Sequence, residues 1–191
     1  MTMHATTLVS VEEYFNILQQ SEVKLEYNAG EIVAMAGAQA PHNIIAGNLH
    51  GELFTCLKKA GCTIVGSDQL IKVEACQKYT FPDLVIVCQE AIYEKSPNGL
   101  DALENPEIII EVSSDSTELY DRTSKFDCYQ TLQSLKEYVL VVSKKKQVEV
   151  FRRLNDNEWI LHIYSEKDNL VKIGNCEVLL DDIYNKVNIL A

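Results

Sequence analysis

The chain has 191 residues, 47% apolar and 24% charged, with 17 Lys and Arg against 28 Asp and Glu and a formal net charge of -11. That length supports one sizeable core, and 8 Gly and 4 Pro exclude a collagenous or low-complexity chain. The acid excess excludes coating nucleic acid by bulk attraction, so any nucleic-acid function must rest on a local basic surface or on metal ions.

Ser10-Val-Glu-Glu13 has the form of a capping box, with Val9 and Tyr14 placed as a hydrophobic staple, and predicts a helix from Val11 to Gln20. Lys24 to Tyr27 and Glu31 to Met35 flank the turn signal Asn28-Ala-Gly30 and predict a hairpin. From His42 to Lys59, Ile45, Leu49, Leu53, Cys56 and Leu57 recur at helical spacing, and Gly61 is a stop signal. Thr63 to Gly66, Leu70 to Glu74 and Leu84 to Cys88 are rich in β-branched residues and read as strands. Pro97-Asn-Gly99 marks a loop. Glu107-Ile-Ile-Ile-Glu-Val-Ser113 is too continuously apolar for a half-exposed strand and is read as central. A second helix is expected from Glu118 to Leu132, followed by strands at Tyr138 to Val142, Gln147 to Phe151 and Trp159 to Tyr164, then shorter segments towards Leu180. No internal repeat or Pro/Gly/Ser-rich linker interrupts the chain. The expectation is one domain, 1–191, of mixed α/β class: a core of helix, three strands, helix, strand, with antiparallel additions at both ends.

Cys56, Cys62, Cys76, Cys88, Cys128 and Cys176 form no CxxC pair or Cys/His cluster, which predicts reduced, mostly buried thiols. The N-terminus shows no basic segment followed by an apolar stretch, and no run reaches the roughly 18 to 20 apolar residues that span a bilayer. A cytoplasmic protein without a membrane partner is expected.

Three charges sit where charge is costly. Glu111 lies inside Ile108-Ile-Ile-Glu-Val112, on the same strand face as Ile109 and Ser113. Buried, it must be paired, protonated or metal-bound; near a strand end, it would reach solvent or a neighbouring Lys. Asp83 opens a second apolar run, Leu84-Val-Ile-Val87. It either converges with Glu111, where a cation such as Mg²⁺ relieves the repulsion, or caps a turn. Lys125 shares a helical stripe with positions 121, 128, 129 and 132, and either meets an anion against the sheet or snorkels to solvent. His42 opens the strongest helix and, taken alone, fits a capping or surface role.

Pro82-Asp83 followed by Glu111-Val-Ser113 resembles the PD-(D/E)XK nuclease superfamily. The ordered series Leu25-Glu-Tyr27, Gly30-Glu31, Met35-Ala-Gly37, His42-Asn43, Ser67-Asp68, Pro82-Asp83, Glu111-Val112, Ser116-Thr117, Asp121-Arg122 and Lys125 is similar to the Uma-type restriction endonuclease family, over about Ser10 to Arg153. The resemblance implies a restriction-endonuclease-like core and a Mg²⁺- or Mn²⁺-dependent endonuclease acting on DNA as a homodimer. Asp83 and Glu111 become the metal ligands, with the Val112 carbonyl as a further donor. Ser113 stands where the superfamily carries its lysine, and the family's use of a lysine from the following helix points to Lys125. His42 and Glu26 match family positions near the site. Ser113-Ser-Asp115 departs from the family's apolar residue, Ser and Pro.

Between Lys136 and Arg153, six basic residues face Glu137 and Glu149, a local +4 in a chain otherwise at -15. Lys144-Lys-Lys146 is read as a hairpin tip that either touches a phosphate backbone or guards a sheet edge. Two other functions compete with the endonuclease. A nuclease-like fold without catalysis, acting as an interaction or regulatory module, suits the net charge and Ser113. A two-carboxylate glycoside hydrolase needs an aromatic-lined cleft, for which the single Trp159 offers little.

Overall fold

The computed structural model describes residues 8–96, 100–114 and 117–189. The expected Pro97-Asn-Gly99 loop, and Asp115 and Ser116 of the quoted motifs, lie outside them.

Helix α1 (Val11–Gln20) begins on the expected capping box: the Ser10 side chain accepts from the Glu13 amide, and the Glu13 side chain accepts from the Ser10 amide. It packs Tyr14, Phe15 and Leu18 against the hairpin β1 (Leu25–Asn28) and β2 (Glu31–Ala34), with Val9 in the same cluster. Helix α2 (Ala40–Lys59) buries Ile45, Leu49, Leu53 and Leu57. Next come β3 (Thr63–Val65), β4 (Ile71–Val73), β5 (Lys78–Thr80), β6 (Leu84–Val87), β7 (Tyr93–Lys95), β8 (Asp101–Leu103) and β9 (Ile108–Ser113). The strands β5, β7 and β8 were not expected: unlike the equally short β3 and β4, none lies in a β-branched-rich run.

The helix expected over Glu118 to Leu132 is broken. An α-turn, α3 (Glu118–Tyr120), passes into a π-helical stretch (Asp121–Lys125) and then α4 (Phe126–Tyr129). The chain continues through β10 (Glu137–Val142), β11 (Gln147–Asn155), β12 (Glu158–Ser165), the hairpin β13 (Leu170–Ile173) and β14 (Cys176–Leu179), and a last turn α5 (Leu180–Ile183).

Two six-stranded sheets result, ordered β2-β1-β5-β4-β8-β7 and β12-β11-β10-β9-β6-β3. The second holds the expected core: α2, then β3, β6 and β9, then the α3–α4 segment, then β10 parallel to β9. Antiparallel β11 and β12 extend one end. The Leu70 to Glu74 run forms a strand as expected, but it joins the first sheet as β4. All six residues of β9 are buried. Ile108, Ile110 and Val112 face the cluster under α2, while Ile109 faces the cluster of Tyr129, Leu135, Tyr138 and Leu140. By strand alternation Glu111 and Ser113 share the face of Ile109.

The thiols are not free. Disulfides join Cys56 to Cys176, Cys62 to Cys88 and Cys76 to Cys128, and no described cysteine remains unpaired. This corrects the expectation of reduced thiols. The partners are 120, 26 and 52 residues apart, so only tertiary packing brings them together. Among the described residues no helix is long and apolar enough to cross a membrane.

Candidate active site

The site lies where the chain leaves the first sheet for the second, at Thr80-Phe-Pro-Asp83. Strand β6 runs antiparallel to β9 with Leu84 opposite Ile110. One step further along that register Asp83 stands opposite Glu111, and opposite residues of neighbouring strands project to the same face. The Val112 amide N–H donates to Asp83 Oδ2 at 2.7 Å, so a side chain takes the place of the next ladder bond and holds the carboxylate at the strand end. The turn reading of Asp83 is thus partly right: the backbone group it accepts from belongs to the neighbouring strand.

Glu111 is 5% exposed, and its Oε1 accepts from Lys125 Nζ at 2.8 Å and from the Tyr129 hydroxyl at 3.0 Å. Lys125 does not snorkel; it is 7% exposed on the π-helical stretch, with Asp121 Oδ1 3.6 Å from its amine. His42, in the first turn of α2, places Nε2 3.1 Å from Asp83 Oδ2, while its Nδ1 is buried without a hydrogen-bond partner. Glu26 reaches the cluster from β1. Tyr27 pairs with Tyr79, which sets Glu26 opposite Thr80; its Oε1 accepts from the Thr80 hydroxyl and from the Phe81 amide at 3.1 Å.

All five side chains singled out in the sequence therefore meet. Asp121, Tyr129 and Thr80 join them without having been assigned roles. Positions 121 and 129 belong to the stripe that drew attention to Lys125, so a signal for them existed. For Thr80 none did, because it depends on the pairing of β1 with β5.

The electrostatics follow from crowding four carboxylates, of which Glu111 and Asp121 are buried, around one ammonium. Burial pushes the Glu111 carboxyl up to about 8; Lys125 opposes this, and Asp83 and Asp121 add to it. Asp121 is raised in the same way, by burial first. Burial alone would lower Lys125, but the charges of Glu111, Glu26 and Asp121 hold it well above the ordinary lysine value. His42 follows the same logic: burial lowers it and the Asp83 carboxylate more than compensates. Burial and the crowding of carboxylates thus raise Glu111 and Asp121, and the same carboxylates raise Lys125 against its burial.

Such a donor set fits a hard divalent cation. In the contacts of the described residues Asp83 uses Oδ2 and Glu111 uses Oε1, which leaves the second oxygen of each for a ligand. Among the described residues no three His, Cys, Asp or Glu side chains form a complete cage. Two carboxylates suit Mg²⁺, which keeps several of its waters.

The basic segment is largely committed within the chain. Lys136 pairs with Glu107, Lys146 lies 2.6 Å from Asp181, and Arg152 lies 2.8 Å from Glu137. Arg153 donates to the carbonyls of Leu135, Gln130 and Leu132 and stacks 4.4 Å from the centre of the Trp159 ring. Lys144 to Lys146 do lie in the turn between β10 and β11.

Residues 11–176 match the model of the Uma2 family, described as "Putative restriction endonuclease". Two relatives come from Synechocystis sp. (strain ATCC 27184 / PCC 6803 / Kazusa). Uncharacterized protein slr1290 is 31% identical over 177 residues, covering 92% of this chain and 91% of its own. Uncharacterized protein sll1609 is 30% identical over 161 residues, covering 84% and 90%. Among solved structures, one described as a putative nuclease belonging to DUF820 from Anabaena variabilis ATCC 29413 superposes with a TM-score of 0.72 at 17% identity, covering 92% of this chain and 97% of that one. At that identity the likeness is one of fold.

Proposed function

Because this chain belongs to the Uma2 family, we propose that it is a Mg²⁺-dependent endonuclease hydrolysing phosphodiester bonds in DNA. The observation that carries this reading is the convergence of Asp83, Glu111 and Lys125 at the end of two adjacent buried strands. Asp83 and Glu111 would hold the cation, Mg²⁺ or Mn²⁺. When bound, the ion supplies Lewis acidity at the scissile phosphate and lowers the pKa of a bound water.

The protein groups do the positioning. The Val112 amide and His42 fix the Asp83 carboxylate, and Tyr129 fixes Glu111. Lys125 offers a protonated amine to a phosphate oxygen or to the attacking water, offsetting charge that develops there. Thr80 and the Phe81 amide anchor Glu26, whose negative charge helps keep Lys125 protonated. With the basic segment committed internally, affinity for DNA should rest on the cation, and binding without it should be weak.

The test is plasmid cleavage by purified protein with Mg²⁺ or Mn²⁺, alongside calorimetric titration of the metal. Cleavage should stop with a chelator, and Glu111→Gln and Asp83→Ala should lose both cleavage and metal heat while still melting cooperatively. Cleavage unchanged in Glu111→Gln would overturn the assignment. Absence of any Asp83-dependent heat would favour the non-catalytic interaction module.

A further inference from the structure

We propose that Asp121 is a positioning residue that receives the Lys125 amine when a divalent cation occupies Asp83 and Glu111. This rests on the endonuclease reading above and assigns a role to a residue outside the ligand pair.

Lys125 Nζ now leans on Glu111 Oε1 at 2.8 Å, and that carboxylate also accepts from Tyr129. A divalent ion on Glu111 would put two cations against one carboxylate, and the singly charged one must yield. The nearest alternative is Asp121 Oδ1, 3.6 Å away, just beyond hydrogen-bond reach. Its side chain is 5% exposed, and among the described residues Lys125 is the one cation within ion-pair distance of it. Its other side-chain partner is the neutral Thr117 hydroxyl, so this buried carboxylate keeps capacity to accept a charged donor.

The backbone under Asp121 is anchored. The Tyr138 hydroxyl donates to its carbonyl at 3.0 Å, from strand β10 beside β9. Asp121 and Lys125 are the first and last residues of the π-helical stretch, a conformation that recurs at functional sites. The amine therefore needs only a small side-chain movement to exchange one carboxylate for the other. In its new place it faces the substrate without competing for the ligand. Residues that orient a site from behind its ligands typically change activity by about 10- to 100-fold when removed.

The experiment uses the full chain labelled with ¹⁵N-lysine, titrated with Mg²⁺ and followed on the Lys125 ammonium resonance, assigned by Lys125→Arg. In the wild type the resonance should shift and saturate with the calorimetric Mg²⁺ affinity; a Lys125 resonance unmoved by Mg²⁺ binding overturns the proposal. Asp121→Asn should lower kcat on duplex DNA about 10- to 100-fold, with KM and Mg²⁺ affinity within about threefold, and Asp121→Glu should restore part of kcat. Wild-type kcat in Asp121→Asn overturns the proposal while leaving the endonuclease reading intact. Loss of Mg²⁺ affinity in proportion to kcat also overturns it, by making Asp121 a ligand. A wild type with neither Mg²⁺ heat nor cleavage sinks the underlying reading, and this one with it.

Discussion

Glu111 and Lys125 meet across the seam between strand β9 and the π-helical stretch, 2.8 Å apart and both buried. The effect is one-sided: the lysine stays protonated because carboxylates surround it, whereas burial draws the glutamate towards a proton and Lys125 opposes that.

That relationship makes stability depend on pH. The Glu111 carboxyl is raised from the ordinary 4.5 to about 8, so the folded chain holds a proton that the unfolded chain releases. In a chelator, stability should be greatest on the acid side of this window and decline as pH rises from about 4.5 through about 8. Melting temperatures across that range should show the decline in the wild type and a flatter profile in Glu111→Gln. Added Mg²⁺ should raise the wild-type value most at the alkaline end, where the free carboxylate is available.

Glu107 should behave in the opposite sense. Burial would raise its carboxyl, but Lys136 and the Cys88 amide, which donates at 2.8 Å, bring it below the ordinary value. Its contribution is therefore present above the unfolded value of 4.5 and lost as pH falls through the lower folded one. Urea midpoints measured on acidification should fall less steeply in Glu107→Gln than in the wild type.

Arg122 bridges two carboxylates, Glu118 at 2.8 Å and the buried Glu149 of β11. Arg122→Met strands the Glu149 charge and should cost about 3 to 5 kcal/mol in urea unfolding. The double variant Arg122→Met/Glu149→Leu should recover most of the loss, because the larger part of the cost is the unpaired buried charge.

The Cys56–Cys176 disulfide ties α2 to the start of β14 across a separation of 120 residues. Constraining so long a loop in the unfolded chain is worth on the order of 2 to 5 kcal/mol. Cys56→Ser should lower the urea midpoint in oxidised protein and make no difference in the presence of reductant.

Much of the fold was legible because it is written in local patterns. The Ser10 to Glu13 capping box starts α1 where expected, the spacing of Ile45, Leu49, Leu53 and Leu57 defines α2, and the unbroken apolar run around Glu111 marks the central strand. The short strands β5, β7 and β8 were invisible, since none of them is the β-branched-rich run that marked the equally short β3 and β4. The interruption of the second long helix was equally hidden: Asp121 to Lys125 has ordinary helical spacing, and the π turn forms where its buried charges dock against the sheet.

The -11 charge with which the chain is first met argues, from sequence alone, against coating nucleic acid by bulk attraction. By itself the sequence also determined that Glu111 sits inside an apolar strand and that Lys125 shares an amphipathic helical stripe, because strand and helix periodicities are properties of consecutive residues; that both are buried came from the fold. Tertiary structure alone decided that Asp83 stands beside Glu111, that Glu26 and His42 reach them, and that Lys136, Lys146, Arg152 and Arg153 of the basic segment are spent on internal partners. It also decided which cysteines pair. These depend on strand register and on the crossing between two sheets, which bring together residues from 15 to 120 positions apart, beyond the reach of any local pattern.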